Sequence, residues 1–320
     1  MTPSPPASQG PTRHGGRLAE AAAAFPAARK PWLDLSTGIN PQAWRGPRAA
    51  LGELRRLPDP QGLAALEAAA ARAFGADPAC VAAVAGAEAG LRLAPRLTGA
   101  RSVAIGAFTY GGHAQAWEGV ARASADRAEA MVVVNPNNPD GAISAPAALA
   151  DGRRWLVVDE SFVEVAPGLS VAGAGLPRTL VLRSFGKFYG LPGVRLGFVV
   201  AEPDVAVRTR ALVGDWPVSA DAVAMGTRAY ADDGWAQASR ARLAADARRL
   251  DALLAAAGFE AVGGTDLFRL VRSPDAAARF RWLARQGVLT RPFDDDPSLL
   301  RFGLPGRDGW NRLIGALKSF

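Results

Sequence analysis

The chain of 320 residues has three lysines, Lys30, Lys187 and Lys318, against 34 arginines. Lys187 lies in Arg183-Ser184-Phe185-Gly186-Lys187-Phe188-Tyr189-Gly190-Leu191-Pro192-Gly193-Val194-Arg195-Leu196-Gly197, among small and glycine-spaced residues. Where surface positive charge is written almost wholly as arginine, a lysine kept in such a segment is expected to serve as an amine. A primary amine condenses with a carbonyl, which a guanidinium does not practically do. Ser184 and Arg195 flank it, and both are natural partners for a phosphate. A carbonyl-reactive lysine beside a phosphate cup points to pyridoxal 5′-phosphate (PLP).

Three further groupings could complete such a site. Asn135-Pro136-Asn137-Asn138-Pro139-Asp140-Gly141 follows the apolar run Met131 to Val134, and its Asn-Pro steps and glycine force a turn at a strand end. An asparagine there is either part of an ordinary turn or a donor to a phenolate-type oxygen. Asp159 ends the run Trp155-Leu156-Val157-Val158. A carboxylate at the end of a buried strand is costly unless partnered; it is either a helix cap or the partner of a pyridinium N–H. Gly86-Ala87-Glu88 opens a helical pattern, and small residues there let backbone N–H groups reach an anion at the helix N-terminus.

These groups need a scaffold that brings strand ends together. Short apolar runs recur at Ser102–Ile105, Met131–Val134, Trp155–Asp159, Thr179–Leu182 and Leu196–Ala201, separated by helical or glycine-rich stretches. That alternation predicts parallel strands covered on both faces by helices. Helices are expected over Leu18–Ala24, Gly62–Phe74, Glu88–Leu97 and Asp204–Ala257, with a break at Pro217. Strands near Glu260–Val262, Leu267–Val271 and Leu299–Phe302, with helices over Pro274–Gln286 and Asp308–Lys318, predict a second, α+β domain. The expected division is an N-terminal arm (1–30, its first dozen residues disordered), a large domain (31–205) and a small C-terminal domain (206–320).

A hydrophobic fraction of 49% suits a globular chain with a large core. The formal charge of +7 comes from scattered arginines without a long basic run, so it favours anionic small molecules over nucleic acid. No apolar run approaches the roughly 18 residues that span a bilayer. The single cysteine, Cys80, excludes an intramolecular disulfide and fits the cytoplasm. No metal is expected.

With Asn-Pro-Asn-Asn-Pro-x-Gly, Val-Asp-Glu (Val158 to Glu160) and Ser-Phe-Gly-Lys (Ser184 to Lys187) in this order, the chain from His14 onwards resembles the fold-type I PLP-dependent enzymes, the aspartate-aminotransferase superfamily. The resemblance implies an α/β fold with a mostly parallel central sheet in a large domain and a smaller α+β C-terminal domain. It also implies that Lys187 carries the cofactor, Asp159 meets its ring nitrogen and Asn138 its ring oxygen. Gly86, Ala87, Glu88, Ser184 and Arg195 would hold its phosphate, and Tyr110 would stack on the ring. Arg301, in Leu300-Arg301-Phe302-Gly303, would clamp a substrate carboxylate.

Aminotransferases of this class usually carry a tyrosine three residues after the aspartate, where this chain has Phe162, and a tyrosine before Pro-Asp-Pro, where it has Leu57. Asp-Glu-Ser-Phe-x-Glu (Asp159 to Glu164), His14-Gly15-Gly16 and Ser36-Thr37-Gly38-Ile39-Asn40-Pro41 are similar to the cobalamin-pathway threonine-phosphate decarboxylases, relatives of the histidinol-phosphate aminotransferases. That branch implies decarboxylation of L-threonine O-3-phosphate, with amino transfer from histidinol phosphate to 2-oxoglutarate as the alternative. It places Gly38, Asn40 and His14 on the substrate side. His14, Arg17 and Arg307 are candidates for the substrate phosphate, and a homodimer is expected from the family.

Overall fold

The computed structural model describes residues 15–320, which form two compact units: 42–241, and 15–41 together with 242–320. His14 lies outside the described residues, as does the rest of the expected arm before Gly15. The division differs from the 205/206 boundary expected from sequence. Helices after residue 205 pack on the sheet of the first unit: α4 (Pro203–Val213) beside β1 (Val81–Val84), and α5 (Ala220–Tyr230) beside α1 (Pro60–Phe74).

The first unit is built on seven strands: β1, β2 (Ser102–Ile105), β3 (Ala121–Arg122), β4 (Ala130–Val134), β5 (Trp155–Asp159), β6 (Thr179–Ser184) and β7 (Gly197–Val200). Their spatial order is β1-β7-β6-β5-β4-β2-β3. β3, β2, β4, β5 and β6 run parallel, whereas β7 is antiparallel to both of its neighbours. The parallel expectation for Leu196–Ala201 is therefore corrected. The connection from Ser184 to Gly197 holds only short helical turns, and a parallel return needs a crossover of a dozen or more residues, usually a helix.

Central strands are apolar on both faces because helices cover both. Val132, Val157, Leu180, Leu182 and Val199 join Leu91, Ala94 and Leu97 of α2 (Ala87–Thr98) in one buried cluster. Each such large aliphatic side chain contributes about 1.5–3 kcal/mol on burial. α1 starts where Asp59 Oδ1 accepts from the Gln61 amide (2.7 Å) ahead of Pro60, and it stops at the left-handed Gly75. Since β1 and β4–β6 all point the same way, their carboxyl ends meet at one sheet edge, where α/β sheets place ligands.

The helical stretch after residue 203 breaks twice, at 214–219 around Pro217 as expected and again at Ala231–Asp232, before α6 (Asp233–Ala256). In the second unit, β8 (Glu260–Thr265), β9 (Phe268–Arg272), β10 (Arg291–Pro292) and β11 (Leu299–Gly303) form an antiparallel sheet ordered β10-β11-β9-β8. Helices α7 (Ala276–Arg285) and α8 (Trp310–Lys318) belong to this unit, as does the helix Leu18–Ala24. Leu33–Asp34 pairs in parallel with Val288–Leu289, a two-residue bridge too short to leave a pattern in the sequence.

Candidate active site

A cavity of about 330 Å³ opens at the carboxyl edge of the first unit's sheet. Every cofactor-side residue singled out from the sequence lines it. Gly86, Ala87 and Glu88 come from the turn between β1 and α2, and Tyr110 from the loop after β2. Asn138 follows β4, Asp159 ends β5, and Ser184, Lys187 and Arg195 come from the segment joining β6 to β7.

Asp159 is 5% exposed. Burial opposes its charge, but His113 Nε2 lies 2.9 Å from Oδ2 and the Ser161 amide donates to Oδ1 (2.9 Å), so the carboxyl is held below the usual carboxylate range. His113, fully buried on α3 (Gly111–Ala116), was not singled out from sequence. The available signal was its place three residues after Tyr110, in the first turn of the helix that Tyr110 precedes. Burial pushes the Tyr110 phenol up to about 12, with Glu88 and Asp159 adding to the effect; its hydroxyl lies 3.4 Å from Glu88 Oε2.

Asn137 stitches two of these loops together. Its side chain accepts from Thr109 Oγ1 (2.7 Å) and donates to the Phe108 carbonyl (2.9 Å) and to Asp140 Oδ1 (2.7 Å). The turn that presents Asn138 is thereby fixed to the loop that presents Tyr110. Lys187 Nζ lies 5.6 Å from the ring centre of buried Phe162, so the residue standing in place of tyrosine forms the wall beside the amine.

At the phosphate end, Arg195 is a non-glycine residue at φ 57°, a left-handed conformation that costs on the order of 1 kcal/mol and concentrates at functional sites. Its guanidinium reaches back to the carbonyls of Pro192 (3.2 Å) and Ala85 (3.4 Å). Gly86 sits at φ +87°, a conformation that a larger residue adopts only under strain, and a Cβ there would also press on the Arg195 guanidinium, 2.6 Å from Nη2. Backbone amides and a cation are thus brought to one corner.

The second unit gathers the substrate-side residues expected from sequence, apart from His14. Arg301 Nη2 donates to the Ser36 carbonyl (2.9 Å), and Gly303 N donates to Leu35 O (2.7 Å). A Cβ on Gly303 would collide with the Thr37 carbonyl, so this glycine permits β11 to meet the loop that carries Gly38 and Asn40. Asn40 Oδ1 accepts from Arg242 (3.2 Å), and Gly16, two residues after His14, donates its amide to Ser36 Oγ (2.8 Å). Arg17 pairs with Glu20 (2.5 Å), and Arg307 is exposed. Arg291, not singled out from sequence, faces Arg301 directly across β10 and β11. Burial and Arg291 together bring the Arg301 guanidinium down to about 10.

A larger cavity of about 660 Å³ in the first unit, between Ala50–Asp59 and α5, has only exposed charged residues on its rim: Glu53, Arg56, Asp59 and Arg228. The smaller cavity, with buried and perturbed groups converging on it, is the better candidate for chemistry.

Residues 117–309 match the family described as aminotransferase class I and II. The chain is 37% identical to the threonine-phosphate decarboxylase of Pseudomonas aeruginosa, across 96% of this chain and 97% of the relative. It belongs to that aminotransferase family. As a class I and II member it is also 41% identical to a threonine-phosphate decarboxylase of Sinorhizobium sp, across 96% of this chain and 98% of the relative. A histidinol-phosphate aminotransferase of Mycobacterium bovis matches at 34% identity, across 61% of this chain and 56% of the relative. The same fold occurs in the histidinol-phosphate aminotransferase of Sinorhizobium meliloti, solved in complex with pyridoxal-5'-phosphate (TM-score 0.74, 21% identity, 84% of this chain and 85% of that one). The donor set of the family member described here fits PLP: an amine, an ionised buried carboxylate, an aromatic ring, and amides with a cation at one corner.

Proposed function

We propose that the protein is a PLP-dependent decarboxylase that converts L-threonine O-3-phosphate to (R)-1-amino-2-propanol phosphate, in the cobalamin pathway. The observation that carries this reading is the match of nearly the whole chain to two threonine-phosphate decarboxylases, against 61% of the chain for the histidinol-phosphate aminotransferase. The chemistry supplied by bound PLP is that of an electron sink for the pair released when a bond at the substrate's α-carbon breaks.

The chain's own residues divide the remaining work. Lys187 anchors the cofactor through its amine. Asp159, kept ionised by His113, accepts from the ring N–H and so keeps the ring protonated. Asn138 donates to the ring oxygen and Tyr110 covers the ring face. The amides of Gly86, Ala87 and Glu88, with Ser184 and Arg195, hold the cofactor phosphate. Arg301 clamps the substrate carboxylate, and Arg291 beside it adds positive potential for the doubly anionic substrate. Substrate orientation, set by contacts such as that of Arg301 with the carboxylate, would select loss of carboxylate over loss of the α-proton. Lys187, its amine freed when the substrate's amine takes its place, would then deliver the proton that the α-carbon takes up once carbon dioxide has left.

The protein acts as a homodimer on this reading. Leu51, Leu54 and Leu57, 63%, 48% and 65% exposed, give the first unit an apolar surface suited to a second copy. Sedimentation at micromolar concentration tests that point. For the reaction, protein loaded with PLP is incubated with threonine phosphate and no keto acid. Carbon dioxide and the amino-alcohol phosphate in equal amounts are expected. Consumption of substrate only when 2-oxoglutarate is present, without amine product, overturns the assignment. It would favour the aminotransferase reading, which the partial histidinol-phosphate aminotransferase match supports.

A further inference from the structure

Directly behind the cavity wall, β5 and β6 lead into a cluster of buried charge that the proposed chemistry does not use. Glu160 follows Asp159 by one residue, and Arg183 precedes Ser184 by one. Arg183 Nη1 donates to Glu160 Oε2 (3.1 Å) and Ser170 Oγ (3.0 Å), and Nη2 donates to Glu164 Oε1 (2.6 Å). Glu160 also accepts from Ser170 Oγ (2.6 Å) and the Val171 amide (2.6 Å), while the Glu164 carbonyl accepts from Arg240 Nε (2.7 Å). Arg183, Glu160 and Glu164 are 2%, 0% and 6% exposed, and the guanidinium sits 4.1 Å over the Phe74 ring.

Stability alone is a poor reason for such a cluster, because well-packed apolar residues often replace a buried ion pair without loss. Its position supplies a better one. The pairing of β5 with β6 ends at Asp159 and Leu182, closed by the Glu160 amide donating to the Leu182 carbonyl (2.9 Å). Beyond that point no ladder joins the two segments that carry Ser161–Phe162 and Ser184–Lys187. The side chains of Arg183, Glu160 and Glu164 bridge them there. Salt-bridged arginine is suited to the task, since its planar fork fixes two partners in direction as well as distance.

We propose that the Arg183–Glu160–Glu164 cluster positions Asp159 and Lys187 relative to each other, so that a cofactor anchored by one is held in fixed register with the other. The inference rests on the PLP reading above. These three are positioning residues: none lines the cavity.

The test uses the full chain loaded with PLP. Visible circular dichroism per bound cofactor reports how rigidly the chromophore is held, and equilibrium dialysis gives the PLP dissociation constant. Glu164→Gln keeps the side chain's shape and removes its charge. It is expected to lose most of the visible dichroism and to bind PLP about tenfold more weakly, equivalent to ~1.4 kcal/mol. Glu164→Asp, which keeps the charge, recovers part of both. Arg183→Lys keeps the charge and loses the fork; it carries the same expectation and stands in if Glu164→Gln is insoluble. Glu129→Gln, which breaks an exposed ion pair with Arg101 at the far end of β4, changes neither readout. A lower melting temperature with both readouts intact assigns the cluster to the core alone and overturns the inference. If unsubstituted protein shows no PLP band that Lys187→Ala removes, it is the PLP reading that fails instead.

Discussion

Asp159 in the first unit and Arg301 in the second are both buried charges, 5% and 8% exposed, yet the two units treat them in opposite ways. Around Asp159 the chain supplies opposing dipoles and a histidine, enough to outweigh desolvation and keep the carboxyl ionised. Around Arg301 it supplies a second arginine directly across the sheet, and burial and that neighbour both work against the charge. Like charges placed opposite each other on paired strands are destabilising. The first unit is thus organised around charges it balances itself, as a permanently held cofactor requires. The second keeps positive potential in reserve, which would suit the transient anionic substrate proposed for it.

The largest expected effect breaks the first half of that comparison at its centre. Lys187→Ala removes the amine proposed to anchor the cofactor and to return a proton, and turnover is expected to fall by about 10³-fold or more. The absorbance band near 410–430 nm (roughly, as typical of a lysine-bound PLP) disappears with it. Retained turnover or a retained band would place the anchoring amine elsewhere. Next in size is Arg301→Ala, which is expected to lower kcat/KM by about a hundredfold, ~2.7 kcal/mol, mainly through KM. PLP affinity should stay unchanged. A loss of PLP binding in that variant would erase the distinction between a cofactor unit and a substrate unit.

Legibility in the sequence follows the same line. Strand ends were readable because the apolar runs Met131–Val134, Trp155–Asp159 and Thr179–Leu182 each lead into chemically unusual residues, and all the cofactor-side candidates do line one cavity. The antiparallel β7 was not readable, because an apolar run carries no sign of its direction. His113 escaped notice because its significance is tertiary: it lies 46 positions from Asp159, and only folding puts its ring 2.9 Å from the carboxylate. Arg291 was hidden among 34 arginines and becomes distinctive only through the register that sets it against Arg301. The Arg183–Glu160–Glu164 cluster was written beside the site motifs, but periodicity alone does not reveal which charges of a segment turn inward.

His113→Phe sharpens the account of Asp159. Its carboxyl, lowered below the usual range in the fold, contributes stability that is present above the unfolded carboxylate value near 3.9 and is lost as pH falls through the folded value. Removing His113 leaves desolvation with less opposition, so the folded value rises toward the unfolded one, the variant holds less of this stability at neutral pH, and less acid is needed to unfold it. Acid unfolding followed by circular dichroism should therefore start at higher pH in His113→Phe than in the unsubstituted protein. PLP should also bind more weakly, about tenfold, as the ring nitrogen's partner loses charge. An unchanged acid limb would mean that Ser161 alone sustains the carboxylate.

The smallest effect runs in the stabilising direction, which makes it diagnostic. Arg301 is brought down to about 10, so between that value and the ordinary arginine range the unfolded chain binds more protons than the folded one. Its contribution to stability rises with pH across that window, and at neutral pH the penalty for holding it charged is fully present. Arg291→Gln removes the like charge opposite and should raise the melting temperature by about 2 °C, the equivalent of a few tenths to 1 kcal/mol for a protein of this size. The same substitution should raise KM for threonine phosphate if, as proposed, the reserve of positive potential that costs stability is what draws in the substrate. Calorimetry and steady-state kinetics on one variant then read the two sides together. A variant more stable and equally tight for substrate would show that the arginine pair is a burden without a use, and would remove the contrast between the two units.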